Sequence, residues 1–253
     1  MMLALELGRR GVRCLLLNDK PGPSPAPKAN ATSPRTMEHL RRLGIAQRFR
    51  EMGLPDDYPN DVTYFTRICG YELARLKLPT GREALAENRR GEGPWAAPEP
   101  AQRGSQIFLE RALYDRLGDF PSIEKRYGWK LAGFTDHGDG VRCIIADVES
   151  GREEVVEGDW LVGCDGASSV VRKGIGVDYE GDGGLVRLFM GGSMLAVHMR
   201  MKPPAGVRWP SPSWQYWTVN PEIRSLMLSI DGADEYVCHV GIGESRRYVD
   251  GEV

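Results

Sequence analysis

The chain has 253 residues, 41% hydrophobic and 27% charged, which is the balance of a folded globular protein and excludes a disordered one. A formal net charge of −2 provides no general attraction to nucleic acid or to an anionic membrane surface. No apolar run approaches the roughly 20 residues that span a bilayer, and a start carrying Glu6, Arg9 and Arg10 does not read as a secretory leader.

MMLALELGRR, at the N-terminus, has the apolar content of a helix, with Gly11 placed to end it. The short run VRCLLL, residues 12–17, follows and has the composition of a strand buried on both faces. A helix followed by a buried strand is the second half of a βαβ unit. In a dinucleotide-binding unit the ribose-binding residue ends the second strand, about 20 residues after a glycine-rich turn. Here that strand ends at Asn18 and Asp19, so the turn would fall at or before Met1. Two readings follow: an ordinary helix–strand pair, or a dinucleotide site whose first strand and phosphate loop are not in these 253 residues.

Residues 20–34 are rich in Pro, Ser and Ala and lead to PRTMEHLRRLG. Ser33 is the expected N-cap, Pro34 the first helical residue and Gly44 the stop. Arg35 then falls in the first turn, where the helix dipole disfavours a cation that lacks an anionic partner. Residues 61–79 are β-prone around a central glycine and predict a hairpin. Residues 80–104, with four glycines and three prolines, are expected as a long exposed loop. SQIFLERALYDRLG returns to helix, with Ser105 as its cap, Leu109, Leu113 and Leu117 as its apolar stripe and Gly118 as the stop.

From Trp129 to Cys164 the pattern is strand–turn–strand, with HGDG and ESGR as turns. The last expected strand, DWLVGC, runs into Asp165-Gly166 and a helix capped by Ser168 or Ser169. The carboxyl ends of strands in open α/β sheets are where ligands sit, and an Asp there can accept a hydrogen bond from a ribose hydroxyl. Beyond residue 180, MLAVHMRM, SWQYWTV, SLMLSI and EYVCHVGI alternate as four strands of an antiparallel sheet with one covered face. Trp209, Trp214, Tyr216 and Trp217 suit either sheet packing or an aromatic pocket. No cap precedes Val253, so a further element is expected there.

The five cysteines are scattered without a CxxC pair, which points to small buried hydrophobes in a reducing cytoplasm rather than disulfides or zinc. His39, His137, His198 and His239 show no metal-ligand spacing, so no metal is expected.

GRRGVRCLLL, then PSP…ATSPRTMEHLRRLG, then RGSQIFLE, then WLVGCDGASSVVRKGIGV together resemble a known family. It is that of the FAD-dependent aromatic-ring monooxygenases of the para-hydroxybenzoate hydroxylase and phenol hydroxylase type. The resemblance covers nearly the whole chain, and CDGASSVVR is its most specific part. It implies an α/β fold: an FAD-binding Rossmann-like domain, lacking its first strand and glycine loop, with an inserted antiparallel β-sheet substrate domain. The FAD domain would take residues 1–60 and 105–179, and the substrate domain 61–104 and 180–253. Arg35 matches an arginine near the flavin's pyrophosphate and ribityl part, and Gln106 a glutamine that contacts the flavin. Asp165 and Gly166 match the family's DG pair, and Arg172 its structural arginine. Asn18 stands where the family has a ribose-binding Glu, with Asp19 as the neighbouring substitute. An amide there lacks the charge-assisted bond of a carboxylate.

The implied activity is hydroxylation of a phenolic substrate through a flavin hydroperoxide, with NAD(P)H as reductant and O2 as oxidant. No nucleic acid or membrane is involved, and a homodimer is left open. The GxGxxG turn and the second, GDAAH-like FAD motif are both missing, so the chain is expected to be a fragment truncated at both ends that binds FAD poorly. The alternatives are a non-hydroxylating flavin oxidoreductase of the same fold and a non-catalytic truncated gene product.

Overall fold

The computed structural model describes residues 1–92, 97–181, 192–203 and 205–242. In chain order the first elements are α1 (Met2–Gly8), β1 (Cys14–Asn18), α2 (Pro34–Arg42), α3 (Ala46–Met52), β2 (Val62–Phe65) and β3 (Glu72–Leu76). Next come α4 (Gly81–Arg90), α5 (Gln106–Leu117), β4 (Ile123–Tyr127), β5 (Trp129–Asp136), β6 (Val141–Asp147) and β7 (Glu153–Gly158). The last are α6 (Val170–Gly174), β8 (Ser193–Arg200), β9 (Gln215–Val219), β10 (Arg224–Ser229) and β11 (Glu235–Ile242). The chain divides into two compact units, Met1–Ser24 with Tyr114–Val186 and Pro25–Leu113 with Arg187–Val253.

In the first unit β1 and β4 pair in parallel, Cys14 opposite Ile123 and Asn18 opposite Tyr127. The helix α1 lies close on this pair through Gly8, where a Cβ would come within 2.5 Å of the Ile123 side chain. Ala4 and Leu5 are buried on the same helix, and Gly11 turns the chain back toward β1 at φ 72°, as its expected place past the helix end requires. The strands β5, β6 and β7 form an antiparallel meander through the two turns read from HGDG and ESGR.

DWLVGC departs from its expected form: residues 159–164 form no strand, and Trp160 and Val162 are 89% and 59% exposed. An apolar run becomes a strand only where another strand accepts its ladder hydrogen bonds, and no described strand does so here.

The second unit is built on a six-stranded sheet in the order β3-β2-β9-β10-β11-β8. Its neighbours are antiparallel except β2 and β9, which run parallel. The predicted hairpin and the four predicted C-terminal strands thus join one sheet. Period-2 alternation puts Trp214, Leu226, Leu228 and Val237 in one apolar cluster, together with Ile107 and Phe108 of α5. Phe65, Tyr216, Met227 and Tyr236 form a second cluster. The sheet is therefore covered on both faces at its centre, not on one as expected. Trp214 and Tyr216 serve packing there, and burial pushes the Tyr216 phenol up.

The segment 80–104 corrects its sequence reading. Residues 81–90 are the helix α4, opened by a capping box in which the Thr80 hydroxyl and the Glu83 carboxylate each bond the other's backbone N–H. The T-x-x-E spacing is the signature of that box, and here it outweighed the glycine and proline content. Residues 93–96 of the segment and the chain end at 243–253 lie outside the described residues. Of the cysteines, Cys143 is buried, whereas Cys69 and Cys164 are exposed. An apolar neighbourhood in sequence thus did not secure burial.

Candidate functional site

In the first unit, the parallel pair β1–β4 carries Asn18 to a strand's carboxyl end. Its Oδ1 accepts from the Lys20 N–H at 2.8 Å, closing a short turn. Its amide nitrogen has no protein acceptor among the described residues and can donate outward. Asp19 is exposed and pairs with Lys20 at 3.2 Å.

Asp165 sits in the turn before α6. Its Oδ1 accepts from the Ser169 hydroxyl at 2.5 Å, and its Oδ2 from the Val170 and Val171 N–H groups at 2.6 and 3.3 Å. Slight burial alone would raise this carboxyl's pKa, but the Ser169 and backbone donors outweigh it and hold the group below the usual range. Ser169 in turn caps α6 through the Arg172 N–H at 2.9 Å. Gly166 has φ 78°, a conformation glycine adopts at little cost. Arg172 donates to the Val177 carbonyl at 2.6 Å and lies over the Tyr179 ring, a structural use.

In the second unit two helix starts are tied together. Thr32 and Gln102 exchange backbone hydrogen bonds at 2.8 and 3.0 Å, and the Gln106 N–H donates to the Ala29 carbonyl at 2.6 Å. The loop before α2 is thereby held against the loop before α5. Ser33 caps α2 as expected, through the Thr36 N–H at 3.3 Å. Arg35 projects from the first turn, 75% exposed, and finds its anion in Glu38 at 2.6 Å. The Gln106 amide nitrogen donates to Glu110 at 2.5 Å, and its amide oxygen accepts from no described residue. Ser105 departs from its expected capping role: its hydroxyl is buried and makes no hydrogen bond to any described residue.

Sequence reasoning did not find three residues beside these helix starts. Arg50 of α3 is largely buried, donating to Gln102 at 2.8 Å and to Glu99 at 2.9 Å. Gln102 is buried. The Arg103 guanidinium lies 4.4 Å from the centre of the Trp214 ring. The signal for Arg103 was its place in QRGSQ, directly upstream of a helix start. The Arg50 pair spans 49 positions and leaves no local trace.

The sheet adds a further cluster. The Glu235 carboxylate is buried, His198 Nε2 lies 2.7 Å from it and Arg200 donates to it at 3.3 Å.

Taken unit by unit, these donors have chemistry that nucleotide groups can use. An outward amide at the carboxyl end of a parallel strand suits a ribose hydroxyl, and an exposed arginine in a helix's first turn suits a phosphate. The fold and these groups define an α/β chain of the nucleotide-cofactor class with an attached antiparallel sheet. More particularly, residues 1–250 match the family described as FAD binding domain, and the chain belongs to that family.

Among its relatives is the FAD-dependent monooxygenase apdD of Emericella nidulans, 28% identical over 94% of this chain and 38% of its own length. The 6-methylpretetramide 4-monooxygenase of Streptomyces rimosus is 32% identical over 72% of this chain and 29% of its own length. The flavin-dependent monooxygenase PieE, crystallised with FAD and substrate, superposes with a TM-score of 0.79 at 25% identity, over 99% of this chain and 42% of PieE. The chain spans less than half the length of these relatives. No described helix is long and apolar enough to cross a membrane.

Proposed function

We propose that this chain takes FAD and serves the hydroxylation of a phenolic aromatic substrate, with NAD(P)H as reductant and O2 as oxidant. The observation that carries this reading is the family match along residues 1–250. It is supported by relatives whose names include 2,4-dichlorophenol 6-monooxygenase and aklavinone 12-hydroxylase. In this reading Asn18 and Asp19 face the adenosine ribose, Arg35 the phosphates and Gln106 the flavin, while the Asp165-Gly166 turn borders the cofactor. Bound reduced flavin supplies the activation of O2. The chain's own residues bind the cofactor, orient the ring and keep water away from it. The FAD-binding part is residues 1–60 with 105–179, and the substrate part 61–104 with 180–253. The protein is placed in the cytoplasm, as a monomer or a homodimer.

Flavin fluorescence titration tests the cofactor half of the proposal. Weak but saturable quenching of FAD is expected, because no GxGxxG turn lies within these residues, and it is weakened several-fold further in Gln106→Ala and in Arg35→Ala. The chemical half predicts that substituted phenols stimulate NAD(P)H consumption and yield a product one oxygen atom heavier by mass spectrometry. Absence of saturable FAD binding would overturn the reading. FAD binding without an oxygenated product would reassign the chain to a non-hydroxylating flavin oxidoreductase.

A further inference from the structure

The six-stranded sheet of the second unit ends in two edges of opposite construction. The β3 edge has five residues, carries the Glu72–Arg75 ion pair at 2.9 Å, and meets β2 through a register shift between Tyr64 and Phe65. Brevity, charge and irregularity are the means by which a sheet edge is kept from pairing with another chain. The β8 edge uses none of them before its last residue. It runs eight residues in one unbroken register with β11, and SMLAVHM carries no Pro, Lys, Arg, Asp or Glu ahead of the terminal Arg200. No described strand pairs with its outer side.

The register fixes which groups that side presents. The Met201 N–H donates to the Asp234 carbonyl at 2.8 Å, so alternation turns the backbone of Met199, Val197, Leu195 and Ser193 toward β11. The N–H and C=O groups of Met194, Ala196, His198 and Arg200 then face away from the sheet, with no strand among the described residues to receive them. Side chains add an apolar stripe. Leu195 and Val197 are 36% and 38% exposed, on the face where Met199 packs against the cluster of Phe65, Tyr216, Met227 and Tyr236. On the opposite face His198 and Arg200 are drawn back to the buried Glu235 at 2.7 and 3.3 Å. Their polar ends are satisfied within the chain rather than held out against a partner.

We infer that β8 is a dimer interface: two copies of this chain pair their β8 strands antiparallel about a two-fold axis at Val197, joining two sheets into one. Self-complementarity selects a second copy as the occupant, because a two-fold contact requires one patch to match itself. A centre at Val197 sets Ala196 opposite the partner's His198 and Met194 opposite the partner's Arg200, so the outward N–H and C=O groups of both strands meet. It also sets Leu195 opposite the partner's Met199 and Val197 opposite its own copy. The apolar stripe then continues across the axis, and no charge faces its like. Moving the centre to His198 would oppose the two imidazoles, and moving it to Ala196 would carry Arg200 past the end of the other strand. The inference does not depend on the flavin reading.

Sedimentation equilibrium over a concentration series tests it on the unaltered chain, which is expected to show a monomer–dimer equilibrium. Val197→Lys sets two ammonium groups against each other and removes an apolar contact. It is expected to weaken dimerisation at least about tenfold with an unchanged circular dichroism spectrum. Val197→Glu is expected to act likewise alone, while an equimolar mixture of the two variants regains the dimer, because opposite charges then meet at the axis. Ala196→Pro removes an outward N–H and spares the β11 ladder, and is also expected to yield monomer. A monomer at every concentration, a dimer indifferent to Val197→Lys, or a mixture no more dimeric than its components would each overturn the inference. Growth beyond a dimer would overturn it as well, since it marks head-to-tail pairing of β8 with β3, which does not close.

Discussion

The runs SLMLSI and DWLVGC have similar apolar character in sequence and opposite fates in the fold. In the first, Leu226, Met227, Leu228 and Ile230 are all at least 92% buried, because β9 and β11 flank the strand and apolar clusters cover it. In the second, Trp160 is 89% exposed and the backbone has no ladder. Burial is thus conferred by partners rather than by composition. An apolar run states a demand, and the rest of the chain decides whether it is met.

Mutations can break this comparison. Met227→Ala should cost about 2–5 kcal/mol of stability in urea unfolding, because it removes a buried side chain and leaves a cavity. A Met227→Ala loss below about 1 kcal/mol would mean that the sheet centre is loosely packed. Local chemistry contributes less than partners do. Thr80→Ala removes the α4 capping box and should cost about 1 kcal/mol, visible in the same assay, while Thr80→Ser should recover most of it.

The turn at Asp165 gives a smaller, pH-dependent effect. Its folded pKa lies below the ordinary carboxylate value. It therefore contributes stability above that ordinary value, and the contribution is lost as pH falls through the folded pKa. Asp165→Asn should lower stability slightly at neutral pH, with the deficit shrinking as pH falls through those two values, so that the acid limb of a stability–pH profile is flattened. An unchanged acid limb would mean that the capping bonds to Ser169 and Val170 do not persist in solution. Smallest of all, Trp160→Ser should change stability by less than about 0.5 kcal/mol, whereas a larger loss would show that the run finds a partner in solution.

Much of the architecture was legible because local signals were strong. Ser33-Pro34 announced α2, HGDG and ESGR announced the meander, and alternation announced β8 to β11. The α4 helix was missed although Thr80 and Glu83 carry its capping box, because glycine and proline counts dominated the reading. Ser105 had the sequence of a cap but not the geometry, since a hydroxyl caps a helix only when it meets an N–H at hydrogen-bond distance. The candidate site was half legible. Arg35, Gln106, Asn18 and Asp165 stand in recognisable motifs. Arg50, Gln102 and Arg103 acquire meaning only when the loop around residue 30 is tied to residues 102–106, a pairing no local pattern encodes.

The parallel pairing of β2 with β9 bears on how the chain is made. Thr63 donates its hydroxyl to the Gln215 carbonyl, a partner 152 positions later. At about 5–20 residues per second of synthesis, the β2–β3 hairpin emerges roughly seven to thirty seconds before the strand that completes its sheet. A two-stranded hairpin is at best marginally stable in water, and its waiting edge can template pairing with another chain. The β2 edge is therefore a point at which a nascent copy of this protein is exposed to misassembly, and the arrival of residues 215–218 closes that window.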